Sequence, residues 1–182
     1  MNPPPIGEAL SVGWTTFKEN MGPIAIGMLC AMLLSLVPLV GGGLAFAGFM
    51  QVSLKALRRQ PIEPKDGFVG LEAPLDHIIM GLLQIVGMLA CCVGVYVTQA
   101  LFFPGSLLMI DRQMTWQQAK DECMARIAPN WVAWTLFVVV VSLVASSGAL
   151  LCGVGLLLTM PIGLIAMAYA YETTMGKGAV AA

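Results

Sequence analysis

A chain of 182 residues would make one ordinary domain in water, but this one is 58% hydrophobic and only 10% charged, against about 25% charged in soluble domains. Nine Lys and Arg against ten Asp and Glu leave a net charge of −1; with no basic stripe to hold a phosphate backbone, nucleic acid is excluded as a partner. The expected class is an all-α polytopic membrane protein whose first partner is the lipid bilayer.

The chain opens Met1-Asn2-Pro3-Pro4-Pro5-Ile6-Gly7-Glu8, with no basic segment and with an acid where a leader would be apolar, so no cleaved signal is expected. Ile6, Leu10, Trp14, Phe17 and Met21 then recur at helical spacing and predict a surface helix over 6–20. The first stretch without Asp, Glu, Lys or Arg runs from Asn20 to Leu54. At 1.5 Å per residue and a bilayer core of about 30 Å, it is too long for one span and suits two. Pro38 and Gly41-Gly42-Gly43 near its middle place a turn, giving a hairpin over 22–57 with helices Gly22–Val40 and Gly43–Leu57. Residues 58–76 read as a turn-rich cytoplasmic loop, with Asp66 placed to cap a short helical turn.

The second uncharged stretch, His77 to Ile110, predicts a hairpin over 77–110 that turns at Cys91-Cys92-Val93-Gly94, with helices His77–Cys92 and Gly94–Ile110. Asp76 is expected to cap the third span, with His77 in the headgroup layer. Thr115 with Gln118 is a capping box, and Trp116, Ala119, Cys123 and Ile127 follow at helical spacing, predicting a second surface helix over 115–128. Both surface helices can lie in the headgroup region or pack on the hairpins. The third uncharged stretch, Ile127 to Tyr171, breaks at Ser146-Ser147-Gly148, Gly153 and Gly155 and gives a hairpin over 131–171, with helices Trp131–Ser147 and Leu150–Tyr171 and a tail over 172–182. Pro38, Gly43, Gly94, Pro104, Gly153, Gly155 and Pro161 are the expected turn and breaker positions.

This division puts all nine Lys and Arg on one side of three hairpins. The positive-inside rule makes that side cytoplasmic, so a multi-pass protein of the inner (plasma) membrane with six spans and both termini cytoplasmic is expected. A weak internal repeat carries Ala9 onto Ala119, Asn20 onto Asn130 and Gly43 onto Gly153 at one common offset.

Gly13-Trp14 with Phe17-Lys18, Leu57-Arg58-Arg59-Gln60-Pro61 leading to Asp66-Gly67-Phe68-Val69-Gly70, Phe103-Pro104-Gly105 with Ile110-Asp111, Cys152 to Pro161, and Ala168-Tyr169-Ala170-Tyr171-Glu172 occur in this order. Together with Ala119 and Asn130 they resemble uncharacterised bacterial six-helix membrane protein families related to the membrane domain of glycerophosphoryl diester phosphodiesterases. The resemblance spans nearly the whole chain and implies the fold. Its residues are glycines, prolines and aromatics, so it brings no catalytic residue, and the soluble phosphodiesterase domain has no counterpart.

Proton-coupled transport calls for ionisable groups at membrane depth, and the uncharged stretches carry none. The intramembrane polar groups are Gln51, Gln84, Tyr96, Thr98, Gln99 and Thr159, with Ser35 and Ser142; they can line a solute path or bond helix to helix. Asp76 and His77 could be a base and its orienting carboxylate, but no nucleophile or metal accompanies them. Cys91, Cys92 and Cys152 fall near non-cytoplasmic turns, where a disulfide is permitted. With thirteen Met they also invite a Cu(I) reading, which lacks a Met-x-x-Met array. The Gly41-Gly42-Gly43 and Gly153-Val154-Gly155 runs lack the strand and Lys/Ser of a phosphate loop. No catalytic residue, metal or cofactor is expected. The expected role is a non-enzymatic scaffold, envelope-stress factor or partner-binding subunit that contacts another protein or its own copies; the alternative is a small-solute or lipid-handling transporter or channel. These separate on whether Gln51, Gln84, Gln99 and Tyr96 converge on one cavity or pair off between helices.

Overall fold

The computed structural model describes residues 1–37, 41–87, 91–151 and 155–176. Eight α-helices and three short 3-10 segments account for nearly all of them, and no strand occurs among the described residues. The helices are α1 (Ile6–Glu19), α2 (Met21–Ser35), α3 (Gly41–Leu57), α4 (Pro74–Ile85), α5 (Cys91–Arg112), α6 (Trp116–Ile127), α7 (Trp131–Ser147) and α8 (Leu156–Thr174).

Three helices form the inside. α3, α5 and α8 touch one another, and α2, α4 and α7 pack outside them, each against the inner helix that follows it in the chain. A shorter segment precedes each pair and packs on the inner helix of a neighbouring pair: α1 lies on α8, the 3-10 helix Pro64–Leu71 on α3, and α6 on α5. The outcome is a ring of three similar units. Two of the seams between units are closed by helix contact, α4 against α3 and α7 against α5.

The repeat at Ala9/Ala119 and Asn20/Asn130 extends through the burial pattern. Ala9, Gly13 and Phe17 are the buried face of α1, and Ala119, Cys123 and Ile127 that of α6. In α2 the buried positions include Ile24, Gly27, Met28 and Ala31, and in α7 they are Trp134, Phe137, Val138 and Val141, at the same offset. Asn20 and Asn130 both leave helical geometry, at φ −129°, ψ 26° and φ −124°, ψ 34°. Gly153, the expected match of Gly43, lies outside the described residues, as do Pro38, Cys152 and Lys177.

The surface helices are held by protein rather than left free. α1 faces α8 with the small residues Ala9 and Gly13, and Trp14 and Met21 are exposed, so the buried stripe is rotated from the one that large apolar residues predict. α6 opens with the expected capping box: Thr115 Oγ1 accepts from the Gln118 N–H and Gln118 Oε1 from the Thr115 N–H at 3.1 Å. α1 and α2 meet at a bend of 99°, while α6, the 3-10 turn and α7 run on as one stretch, Trp116–Ser147. That stretch, which contains an 18-residue segment of mean hydropathy 2.0, is the one helical run among the described residues that is long and apolar enough to cross a membrane; the bent pair α1 and α2 qualifies only if counted as one span.

Several expected breakers sit inside helices. Gly43 is in the first turn of α3, Gly94 in the first turn of α5, Pro104 within α5 and Pro161 within α8. Gly43 serves close packing: a Cβ there would meet the His77 carbonyl oxygen at 2.5 Å, and one on Gly81 would meet Gly43 Cα at 2.6 Å. Pro104 and Pro161 each leave a carbonyl one turn back without its N–H partner, which a helix packed among neighbours tolerates. Gly155 does stand at a helix start, immediately before α8.

Residues 58–76 depart furthest from a surface loop. The 3-10 helix descends beside α3, with Asp66 on Lys55, Gly67 against Gly48 and Gly70 against Leu44. From Lys55 to Leu44 is eleven residues of helix, about 16 Å. Only glycine fits at the contact: a Cβ on Gly67 would meet Gly27 O at 2.5 Å and Ala31 N at 2.8 Å. α4 then begins at Pro74, with Asp76 in its first turn and making no side-chain cap. His77, expected in a headgroup layer, is 4% exposed and covered by protein.

Candidate functional site

The charged end of the ring is one connected network. Arg58, just past α3, places Nη1 and Nη2 on the Asp111 carboxylate at 2.7 and 3.1 Å, and Nη2 also reaches Glu172 Oε2 at 2.7 Å. The Tyr171 hydroxyl donates to Asp111 Oδ2 at 3.0 Å, and Arg112 Nη2 donates to the Met175 carbonyl at 2.5 Å. Each inner helix contributes its C-terminal turn, so the guanidinium joins all three. The fork of Arg matches a carboxylate at two points, and the Asp111 side chain is 2% exposed. Hydrogen bonding to Asp111 and then to Glu172 holds Arg58 above the ordinary arginine value, so its charge is permanent.

Around this clamp lie further bonds at the same end. Lys55 Nζ meets Asp66 Oδ1 at 2.8 Å, and Asp66 Oδ2 accepts the Glu63 N–H at 2.8 Å. Asp66 thus caps the 3-10 helix from its third position, as one half of a capping box with Glu63. Trp134 Nε1 donates to the Met1 carbonyl at 2.9 Å, Asn130 Nδ2 to Asn2 Oδ1 at 3.1 Å, and the Tyr169 hydroxyl to Glu8.

The six polar groups singled out in the expected spans separate. Thr98 Oγ1 donates to the Gln84 carbonyl at 2.7 Å, and Thr159 Oγ1 to the Ala145 carbonyl at 2.7 Å. Each hydroxyl crosses its own hairpin beside a glycine pair, Gly87 with Gly94 and Gly148 with Gly155. Gln84 Nε2 reaches the Phe102 carbonyl at 3.5 Å, and Tyr96 packs half-buried against the core. Gln51 lines a cavity of about 240 Å³ with Lys65, Asp66, Glu72, His77 and Gln113. Gln99 lines another, of about 380 Å³, with Ser35, Ser142 and Ser146. The two glutamines therefore serve different spaces.

Sequence reasoning missed Arg58, Asp111, Tyr171 and Glu172 as a set. Their common signal was position, since each ends an inner helix, but charge at a helix end is ordinary. It also missed His77 as a cavity residue: its Nδ1 has no hydrogen-bond partner among the described residues. No group of three or more His, Cys, Asp or Glu able to hold a metal occurs among the described residues. Cys30 and Cys123 are free thiols; Cys152 and the side chains of Cys91 and Cys92 lie outside the described set. Compared with protein-family models, with curated proteins and with solved structures, the chain matches none.

Proposed function

We propose that this chain is a six-span protein of the inner (plasma) membrane, with both termini and its charged end in the cytoplasm, acting as a non-enzymatic scaffold, envelope-stress or partner-binding subunit. The observation that carries the membrane reading is the outward face of the ring. Ile26, Leu29 and Leu33 of α2, Leu75 and Leu82 of α4, and Val132, Leu136 and Leu143 of α7 all point away from protein, where a surface helix in water carries charge. Trp14 and Trp131, both exposed, stand near the charged end, as aromatic anchors do at a membrane interface. The helices vary from 12 to 22 residues, so the reading of six spans rests on arrangement more than on length; short spans are accommodated by thinning of the bilayer.

The scaffold reading draws on the polar groups, which bond across hairpins or line separate cavities instead of forming one path. A transporter reading is favoured by one feature, the polar cavity beside the descending 3-10 helix, because irregular backbone at membrane depth is tolerated where it lines a cavity. Reconstituted vesicles distinguish them. A scaffold leaves vesicle permeability to small solutes unchanged, in the wild type and in Gln51→Leu. A solute flux that a folded Gln51→Leu variant loses would replace it with the transporter.

A further inference from the structure

The ring has three seams between units, and one of them is open. Where α4 meets α3 and α7 meets α5, the equivalent contact of α2 against α8 is replaced by a groove of about 140 Å³. Its walls are Ala25, Met28, Leu29 and Met32 on α2 and Leu156, Met160 and Pro161 on α8, with Phe49 of α3 as the floor. Every one of these side chains is apolar.

We propose that this seam is a lipid site that takes one acyl chain of a bilayer phospholipid between α2 and α8. The inference rests on the membrane reading above and adds a specific place to it. Three observations select an acyl chain. The groove opens beside Ile26, Leu29 and Leu33, the exposed apolar face of α2, so in a bilayer its mouth is bathed by lipid tails. It follows α2 from Ala25 to Met32, about 10 Å of helix, a length that fits within one leaflet of a core about 30 Å thick. It also continues inward: Phe49, Leu156 and Met160 line both this groove and the larger cavity of about 380 Å³. A second copy of the chain would press a broad helix face on the mouth and leave that depth empty, whereas a flexible chain can enter it. An empty apolar void forfeits dispersion contacts along its lining, and an inserted acyl chain restores them, doing at this seam what helix contact does at the other two.

The test is photolabelling in vesicles of phosphatidylethanolamine and phosphatidylglycerol doped with a phospholipid carrying a diazirine in its acyl chain. Peptide mapping of the irradiated full chain should find adducts concentrated at residues 25–32 and 156–161 over those on the outer faces of α4 and α7. Ala25→Trp, which fills the groove from an exposed position, should lower seam adducts several-fold and leave belt adducts as they were. Ile26→Trp, which adds the same bulk on the outward face, should leave seam adducts in place. Adducts spread evenly around the ring, as lipids of the ordinary annulus would give, overturn the proposal. So does depletion of the seam below the belt, the pattern of a second copy seated there, or seam labelling indifferent to Ala25→Trp. Should Ala25→Trp fail to fold, the wild-type map decides alone. A chain that does not float with the vesicles refutes the membrane reading itself, and the site with it.

Discussion

Arg58 is the residue on which the three inner helices depend most. Replacing Asp111 with Asn leaves a guanidinium with one carboxylate where it had two, at a position where the lost partner is almost fully buried, and should cost about 3 kcal/mol in thermal or denaturant unfolding in detergent. Arg58→Lys should also destabilise, since an ammonium cannot grip Asp111 at two points while reaching Glu172; stability equal to wild type would show the clamp to be incidental. Cys123 gives a second test at this scale. Burial pushes its thiol up to about 12 from an ordinary 9.0, and the thiolate is the reactive form. A maleimide at neutral pH should leave Cys123 unmodified in the folded protein and modify it after unfolding. Because the folded value is the higher one, the protonated thiol's contribution to stability is complete below pH 9 and falls away as the pH rises from 9 towards 12. The burial of Cys123 was legible, because its spacing from Ala119 and Ile127 marks one helix face. The Arg58 network was not, since its members lie up to 114 residues apart and share no local pattern.

At the scale of elements, the helices lie close to the expected bounds at their charged ends, because an apolar run bounded by charge is a strong local signal, but not at the turns: α4 is described only to Ile85 where Cys92 was expected, Cys91 to Gly94 belong to α5 instead of a turn, and α8 starts at Leu156 instead of Leu150. The descent of the 3-10 helix had no such signal. Its contacts are made by Gly67 and Gly70, whose meaning depends on what approaches them, and its apolar residues are too few to show a period. Gly67→Ala should destabilise by about 1–3 kcal/mol, because its Cβ would run into the backbone of Gly27 and Ala31; a neutral result in unfolding experiments would mean that this segment does not sit between α2 and α3. The threonines that cross the hairpins should matter less. Thr98→Val and Thr159→Val should each cost about 1 kcal/mol, and equal losses are expected because each hydroxyl makes the same bond across its hairpin beside a like glycine pair. Gly43 and Gly94 stand in the first turns of α3 and α5, and the packing role of Gly43 was hidden for the same reason that Gly67 was overlooked: a glycine that lets two backbones approach and a glycine that ends a helix look alike in sequence.

For the whole molecule, the repeat read at Ala9/Ala119 and Asn20/Asn130 is a small part of a likeness that becomes plain once burial is compared helix by helix. Side-chain identity has drifted, as where Ile24 stands opposite Trp134, while the buried positions have kept their places. The polar cavities were illegible, since Gln51 and Gln99 are separated by arrangement alone. Segregation of charge supplies the proposed orientation, and hairpins that cross the bilayer are the claim on which the proposed membrane role and the lipid seam both stand. It is tested most directly by single cysteines in a background with the five native ones replaced. Lys65 and Lys120 are solvent-exposed at the charged end, and a Cβ on Gly42 meets nothing within 4 Å, so all three sites accept the change. In cells whose outer membrane alone is permeabilised, a charged maleimide should label Gly42→Cys and leave Lys65→Cys and Lys120→Cys untouched until the inner membrane is opened. Labelling of Lys65→Cys and Lys120→Cys from outside while Gly42→Cys waits for that opening would invert the topology, and labelling of all three from one side would contradict hairpins that cross the membrane.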